Sequence, residues 1–276
     1  MIDSNIEEKA AYLRKKFIQT AWLVDASHVA SSLSCIDIIT ALYFGNILRY
    51  NIANPQLPDR DRFILSKGHA ALALYNALCE AGFFSRDELY TYCKPGSIFG
   101  GHPTPKIPGI ECATGALGHG LSFAVGTALS LRQNKSDSLI YVITGDGECQ
   151  EGAIWEAAMS ITHFNLSNLI WIIDNNKWQI TGETKKVMGL EPLEKKLLSF
   201  GFDVFTVNGH NQQEIINVLR INRTRLPKKP LAIIANTIKG KGTSILENKA
   251  DAHDKKPTKS EYETILQEFG ISKEEV

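Results

Sequence analysis

The sequence predicts an α/β protein built on a doubly wound, mostly parallel sheet flanked by helices. Two observations carry that prediction. From residue 138 onward, short apolar runs alternate with stretches of helical spacing, as repeated β-α-β units require. The runs themselves, such as "SLIYVITG" and "LIWIIDNN", are solidly apolar instead of alternating, as expected when both faces of a sheet are covered.

The elements follow in order. "IEEKAAYLRKKFIQTAWLVDA" has apolar residues at helical spacing and predicts an amphipathic N-terminal helix. "SCIDIITALYFGNIL" predicts a second, more apolar helix, followed by a loop near residues 51–58 that holds two prolines. "RDRFILSKGHAALALYNALCEAGFF" reads as a short strand, a Ser-Lys-Gly-His turn and a helix closed by Gly82. Residues 94–120 are rich in glycine and proline and include "GGHPTP" and "TGALGHG", the composition of a functional loop. Strands are then expected at "SLIYVITG", "LIWIIDNN", "FDVFTVNG" and "PLAIIANTIKG". Helices are expected at "EGAIWEAAMSITHFN", "LEKKLLSFG" and "NQQEIINVLRINRT". The chain reads as one domain over residues 1–276, with a polar tail from about residue 243 ending in a last helix.

Composition narrows the function. Thirty basic residues balance thirty acidic ones, which argues against nucleic acid or an anionic membrane as the main partner. No run approaches the roughly 18 apolar residues of a membrane span. The charged N-terminus lacks the apolar centre of a signal peptide. The five cysteines are odd in number and form no C-x-x-C pair, so reduced thiols of a cytoplasmic protein are expected.

"TGDGECQE" ends one apolar strand, and "DNN" ends the next. Asn176 follows Asp146 by thirty positions, room for one helix and one strand. A β-α-β unit sets the two strand ends on the same edge, where ligands of such sheets bind. A carboxylate, an amide oxygen and a nearby carbonyl make an all-oxygen ligand set that suits Mg²⁺ or Ca²⁺, and Mg²⁺ completes its shell with phosphate and water. Gly145 and Gly147 let the backbone approach a phosphate, and a following helix N-terminus offers N–H groups to it. The pattern therefore asks for a metal-bridged diphosphate. A lone G-D-G would be read as a tight turn with Asp146 as a helix cap; the second half of the pattern favours the ligand site.

The stretch from Gly145 to Gly182 resembles the thiamine-diphosphate motif, which opens with G-D-G and closes with N-N or D-N about thirty residues later. Within that superfamily the chain resembles the N-terminal part of transketolase, over roughly residues 12–253. "SHVASSLSCIDIITALYF", "DRFILSKGHAALALY", "GGHPTP", "PGIECATGALGHGLSFAVGTAL", the motif and "ANTIKGKG" run in that family's order. The resemblance implies the pyrophosphate-type domain of the thiamine-diphosphate-binding fold. It implies thiamine diphosphate with Mg²⁺, or Ca²⁺ or Mn²⁺ in its stead, the metal held by Asp146, Asn176 and the carbonyl of Trp178. His69, Gly145 and Gly147 would face the diphosphate, and Gly115 and Leu117 the heterocyclic part. Glu151 and Glu156 match glutamates near the subunit contact that link two cofactors. His28, His102 and His253 match substrate-facing positions, where imidazoles orient hydroxyls and move protons. Ser27 and Ala30 replace family glycines around His28, and Asp254 follows His253 where glycine is common. These departures bear on substrate preference. His163 and His210 match no family position and read as ordinary surface or core residues.

In that family the cofactor-activating glutamate lies in a second, pyrimidine-binding domain, and no later segment of this sequence supplies it. The resemblance thus implies one subunit of a split enzyme, inactive alone, pairing with a C-terminal transketolase subunit as a heterotetramer with two sites. Residues 100–128 offer an apolar, glycine-rich contact face. The implied reaction moves a two-carbon ketol unit from a ketose phosphate to an aldose phosphate. Competing readings are a transketolase-like subunit for an unusual sugar, the α subunit of a 2-oxo acid dehydrogenase, and a non-catalytic cofactor-binding subunit.

Overall fold

Alternation of side chains along the strands divides the core in two. Phe63, Leu65, Tyr141, Ile143, Ile170 and Ile172 belong to one buried cluster, while Ile64, Val142, Trp171 and Ile173 belong to another. Successive residues of a strand point to opposite faces, so both faces of this sheet are covered. The strands are β1 (Arg62–Leu65), β2 (Ile140–Gly145), β3 (Leu169–Asn175), β4 (Trp178–Gln179), β5 (Gly182–Glu183), β6 (Asp203–Asn208) and β7 (Leu231–Asn236). Five of them form a parallel sheet in the order β1-β2-β3-β7-β6, and β4 and β5 make a separate antiparallel hairpin. The structure, a computed structural model, describes residues 6–224, 229–272 and 274. The expected domain of residues 1–276 also takes in 1–5, 225–228, 273, 275 and 276, which lie outside the described residues.

On the first face lie α1 (Ile6–Leu23), α2 (Val29–Phe44), α3 (Ala71–Ala81), α9 (Gln212–Thr224) and α10 (Lys259–Glu268), each supplying buried residues to the first cluster. The short α4 (Arg86–Leu89) follows α3, its start fixed by a capping box between Ser85 and Glu88. Helix α2 is the most enclosed: every residue from Val29 to Tyr43 is buried. On the second face lie α5 (His119–Gln133), α6 (Gly152–His163) and α8 (Leu193–Phe200). A single turn, α7 (Thr184–Val187), follows the hairpin. Each fully buried Ile or Leu contributes about 1.5–3 kcal/mol before conformational entropy is subtracted.

Several elements differ from the sequence expectation. Helix α2 begins at Val29, five residues before "SCIDIITALYF". Helix α5 occupies the second half of the expected glycine-rich face, because the glycines of "GHGLSFAVG" are interspersed with helix-compatible apolar residues. Strand β6 is not enclosed on both faces: it is a sheet edge, with Asp203, Thr206 and Asn208 exposed. Between β2 and α6 the chain makes a 3-10 turn over Gly147–Gln150, so α6 starts five residues after Gly147 instead of immediately. The polar tail does hold a last helix, α10, opened by a capping box from Thr258 to Glu261.

Candidate active site

The ends of β2 and β3 are adjacent, with Gly145 in register with Asp174, so Asp146 and Asn176 leave the sheet side by side. The N–H of Asp146 donates to the carbonyl of Asp174 at 3.1 Å. One Asp146 carboxylate oxygen, Oδ2, accepts from the N–H of Lys177 (2.8 Å) and from the hydroxyl of Thr184 (3.0 Å). The other, Oδ1, is buried without a hydrogen-bond partner, on a residue only 2% exposed. Burial, and then the neighbouring Asp174 carboxylate, push the Asp146 pKa up to about 6. An orphaned carboxylate oxygen in that setting calls for a cation. Lys177 bends the chain through a positive φ of 71°, and Asn176 Oδ1 accepts from the N–H of Trp178 at 3.0 Å across that bend.

Beneath Asp146 sits a second carboxylate whose valences are filled. Asp174 is fully buried and accepts from Lys67 Nζ, from Ser34 Oγ (2.6 Å), from Thr237 Oγ1 and from Asn176 Nδ2 (3.3 Å). Burial alone would raise its pKa; the Lys67 ammonium and these donors hold it below the usual carboxylate range. Lys67 is equally enclosed and also donates to the Ser31 carbonyl (3.0 Å) and Ser34 Oγ (3.2 Å). Because Asn176 turns its NH₂ to Asp174, its carbonyl oxygen is left facing the bend with Asp146. Asp146, Asn176 and the Trp178 carbonyl are thus all-oxygen donors of the kind a hard divalent cation takes, and the free Oδ1 fits that role.

Glu148, which sequence reasoning passed over, ties three loops together. Its Oε1 accepts from Ser66 Oγ and from the Gly118 N–H (2.9 Å), and its Oε2 accepts from the Gly145 N–H (3.1 Å). Burial raises its pKa. The loops it joins also meet through glycine: a Cβ on Gly68 would sit 2.7 Å from the backbone of Thr114 and Gly115. A Cβ on Gly115 would strike the His102 ring at 2.5 Å.

A cleft of about 270 Å³ opens above these strand ends. Gly145, Asp146, Gly147, Asn176, Trp178 and Leu117 line it, together with His69, His253 and Glu151. His28 adjoins it, its ring centroid 5.5 Å from that of His69 and 5.7 Å from that of His253, which are themselves 5.0 Å apart. His102 and Gly115 pack on one another at the same end. Glu156 alone stays apart: it is exposed on α6 and does not line the cleft, since it lies more than one helical turn beyond Glu151. Sequence reasoning also missed Lys67 and Lys239, because a lysine in a sequence carries no sign of its burial. Lys239 Nζ lies 3.0 Å from His253 Nδ1, and burial followed by the nearby Lys67 charge lowers its pKa to about 8. Burial and then Lys239 pull His253 down to about 3, so its Nδ1 accepts from the ammonium. His69 is held well below its ordinary value by burial and Lys67, and His28 is lowered by burial and His102. The three imidazoles are therefore neutral near pH 7 and can both donate and accept hydrogen bonds.

A chain with this sheet and these strand-end residues has close counterparts. The family described as "Transketolase, thiamine diphosphate binding domain" matches residues 7–276. The chain belongs to the transketolase family. It is 44% identical over 256 residues to an apulose-4-phosphate transketolase subunit of Phocaeicola vulgatus, covering 92% of this chain and 90% of that protein. It is 40% identical over 266 residues to the 6-deoxy-6-sulfo-D-fructose transketolase subunit SqwG of a Clostridium species, covering 96% of each. The transketolase structure from Campylobacter jejuni superposes with a TM-score of 0.90 at 29% identity, over 99% of this chain and 44% of that one. The present chain thus spans less than half of that transketolase. The parallel sheet agrees with the fold expected from the motifs, and transketolase membership sets aside a 2-oxo acid dehydrogenase α subunit. Among the described residues, no helix is long and apolar enough to cross a membrane.

Proposed function

We propose that this chain is the N-terminal subunit of a split transketolase. In this reading it holds thiamine diphosphate through Mg²⁺ and, with a partner chain carrying the pyrimidine-binding domain, transfers a two-carbon ketol unit between sugar phosphates. The observation that carries the reading is the buried, partnerless Oδ1 of Asp146 beside Asn176 on paired strand ends. The division into two chains is supported by relatives of matching length that are named as subunits. The partners would form a heterotetramer in the cytoplasm, and the face over residues 100–128, where Phe123 is 48% exposed, would contribute to the contact.

Asp146, Asn176 and the Trp178 carbonyl would hold the metal, with Gly145, Gly147 and His69 toward the diphosphate. Gly115 and Leu117 would meet the heterocyclic part. When bound, thiamine diphosphate supplies the nucleophilic carbon and electron sink for breaking a carbon–carbon bond next to a carbonyl. The chain's own contribution is to bind, orient and exclude water. Lys239, behind His253, brings positive charge toward an anionic ligand, while the Lys67 ammonium on the cleft floor is balanced by Asp174. His28, His102 and His253 would orient sugar hydroxyls and carry protons to and from them, the neutral His28 and His253 rings serving either role. Glu151 stands beside the cleft, and Glu156 would act only across a subunit contact.

An unusual sugar substrate is the second reading. It is supported by the named substrates of the two subunit relatives and by Ser27, whose hydroxyl lies 2.9 Å from His28 Nδ1 where the family has glycine. Co-purification of this chain with a partner carrying the pyrimidine-binding domain, followed by a ketol-transfer assay with Mg²⁺ and thiamine diphosphate, tests the function. Transfer from a ketose donor is expected. Absence of turnover with every ketose phosphate, despite bound cofactor, would leave a non-catalytic binding subunit.

A further inference from the structure

His210 lies outside the cleft, at the turn after β6, yet both of its ring nitrogens are committed. Its Nδ1 is 2.6 Å from Asp37 Oδ2, and its Nε2 is 2.8 Å from the backbone nitrogen of Ile238. An N–H can be accepted only by an unprotonated ring nitrogen, so Nε2 is bare and Nδ1 carries the proton toward the carboxylate. Asp37 is buried and kept ionised by Arg14, whose Nε donates to Oδ1 at 2.9 Å and whose Nη2 bonds Oδ2. Its backbone carbonyl is taken by Gln212 at 3.1 Å. Arg14 also reaches the Lys241 carbonyl at 3.1 Å, and its Nη2 stands 3.2 Å from His210 Nδ1. Helices α1 and α2 therefore present an ion pair that selects one tautomer of one histidine.

What that tautomer holds is the bend after β7. Ile238 has Thr237 on one side and Lys239 on the other. Thr237 donates to Asp174, the carboxylate that orients Asn176, and the buried Lys239 Nζ meets His253, which lines the cleft. The two turns abut closely: a Cβ on Gly209 would lie 2.3 Å from Thr237 Cγ2, and the Gly209 N–H donates to the Asn236 carbonyl at 2.8 Å. Other backbone bonds flank that point: the Thr237 N–H donates to the Asn175 carbonyl at 3.3 Å, the Gly240 N–H to the Ala30 carbonyl at 3.0 Å, and the Ile238 and Lys239 carbonyls accept from Lys241 (3.2 Å) and Asn248 (3.0 Å). The His210 bond is thus the one made at the N–H between the two functional side chains.

We infer that His210 is a positioning residue for the cofactor site: the Asp37-fixed tautomer anchors the backbone at Ile238 and so holds the buried Lys239 ammonium against His253 on the wall of the cleft. The inference rests on the cofactor reading above and acts through Lys239, with no contact between His210 and the ligand.

A double-mutant cycle tests it, with affinity for Mg²⁺–thiamine diphosphate measured by calorimetry on the chain assembled with its partner. His210→Leu is expected to weaken binding on the order of tenfold, the scale of one misaligned charged contact. In a Lys239→Met background the same change is expected to cost less than about twofold, because coupled residues are not additive. His210→Gln, whose amide oxygen can still accept from Ile238, should restore most of the loss. Where His210→Leu does not fold, Asp37→Asn takes its place. It should weaken binding in the same Lys239-dependent way and shift the Lys239 side-chain titration, followed by NMR, from about 8 toward 10.5. Equal effects of His210→Leu, or of its substitute Asp37→Asn, with and without Lys239, or no effect at all, would overturn the positioning role while leaving the cofactor site standing. A wild-type complex that binds no Mg²⁺–thiamine diphosphate would overturn both.

Discussion

The N–H of Asp146 donates to the carbonyl of Asp174 at 3.1 Å, and the two carboxylates so joined have opposite fates. Asp174 receives an ammonium, two hydroxyls and an amide, whereas Asp146 keeps one buried oxygen with no partner. One carboxylate organises the floor of the site, and the other is left for a ligand.

Removing the floor should cost stability before it costs chemistry. Lys67→Met would leave Asp174 charged and enclosed without its cation. Breaking one partner of a buried pair typically costs about 3–5 kcal/mol. Denaturant unfolding of the ligand-free chain measures it, and a loss under about 1 kcal/mol would show that solvent reaches Asp174.

Glu148→Gln tests the clasp between the loops. An amide can keep one acceptor oxygen but turns an NH₂ toward either Gly118 or Gly145, both of which already present N–H groups. A destabilisation of about 1–3 kcal/mol is expected, the cost of unsatisfied buried donors. Weaker cofactor binding should accompany it, and hydrogen exchange should speed up at those two amides.

Gly68→Ala should be worse than its one methyl suggests. The new Cβ would lie 2.7 Å from backbone atoms of Thr114 and Gly115, which cannot swing aside as a side chain can. Overpacking of this kind costs about 1–3 kcal/mol, and relief would require parting the two loops above the site. Thermal unfolding and cofactor affinity should both fall; an unchanged Tm would mean the loops are not held together.

Lys239 sets an alkaline limit on anion binding. Its pKa is lowered to about 8, so the ammonium is present below that pH and is lost above it. A bound diphosphate favours the charged form, so affinity should decline as pH rises past about 8, and Lys239→Met should flatten the decline. Stability of the ligand-free chain should move the other way. Between about 8 and 10.5 the unfolded chain holds the proton that the folded chain has released, so folding gains from rising pH in that window.

The pattern from Asp146 to Asn176 was legible because its chemistry is local: glycines, a carboxylate and an amide at the ends of two recognisable strands. The sheet was legible from uninterrupted apolar runs, although β6 shows that such a run can also form an edge. Burial of charge was not legible. Lys67 read as part of a turn, Glu148 drew no reading and His210 read as an ordinary residue, since each owes its role to partners far along the chain, 28 positions for His210 with Ile238, 82 for Glu148 with Ser66 and 107 for Lys67 with Asp174. Asp174 likewise lay unnoticed beside Asn176, because nothing in "DNN" says which side chain faces the interior.

The most direct measurement is calorimetric binding of Mg²⁺–thiamine diphosphate to the chain assembled with its partner, wild type against Asp146→Ala. Metal-dependent binding by the wild type and its loss in the variant, with the fold retained by circular dichroism, is the predicted result. Unchanged affinity in Asp146→Ala would contradict the metal-bridged site at the end of β2.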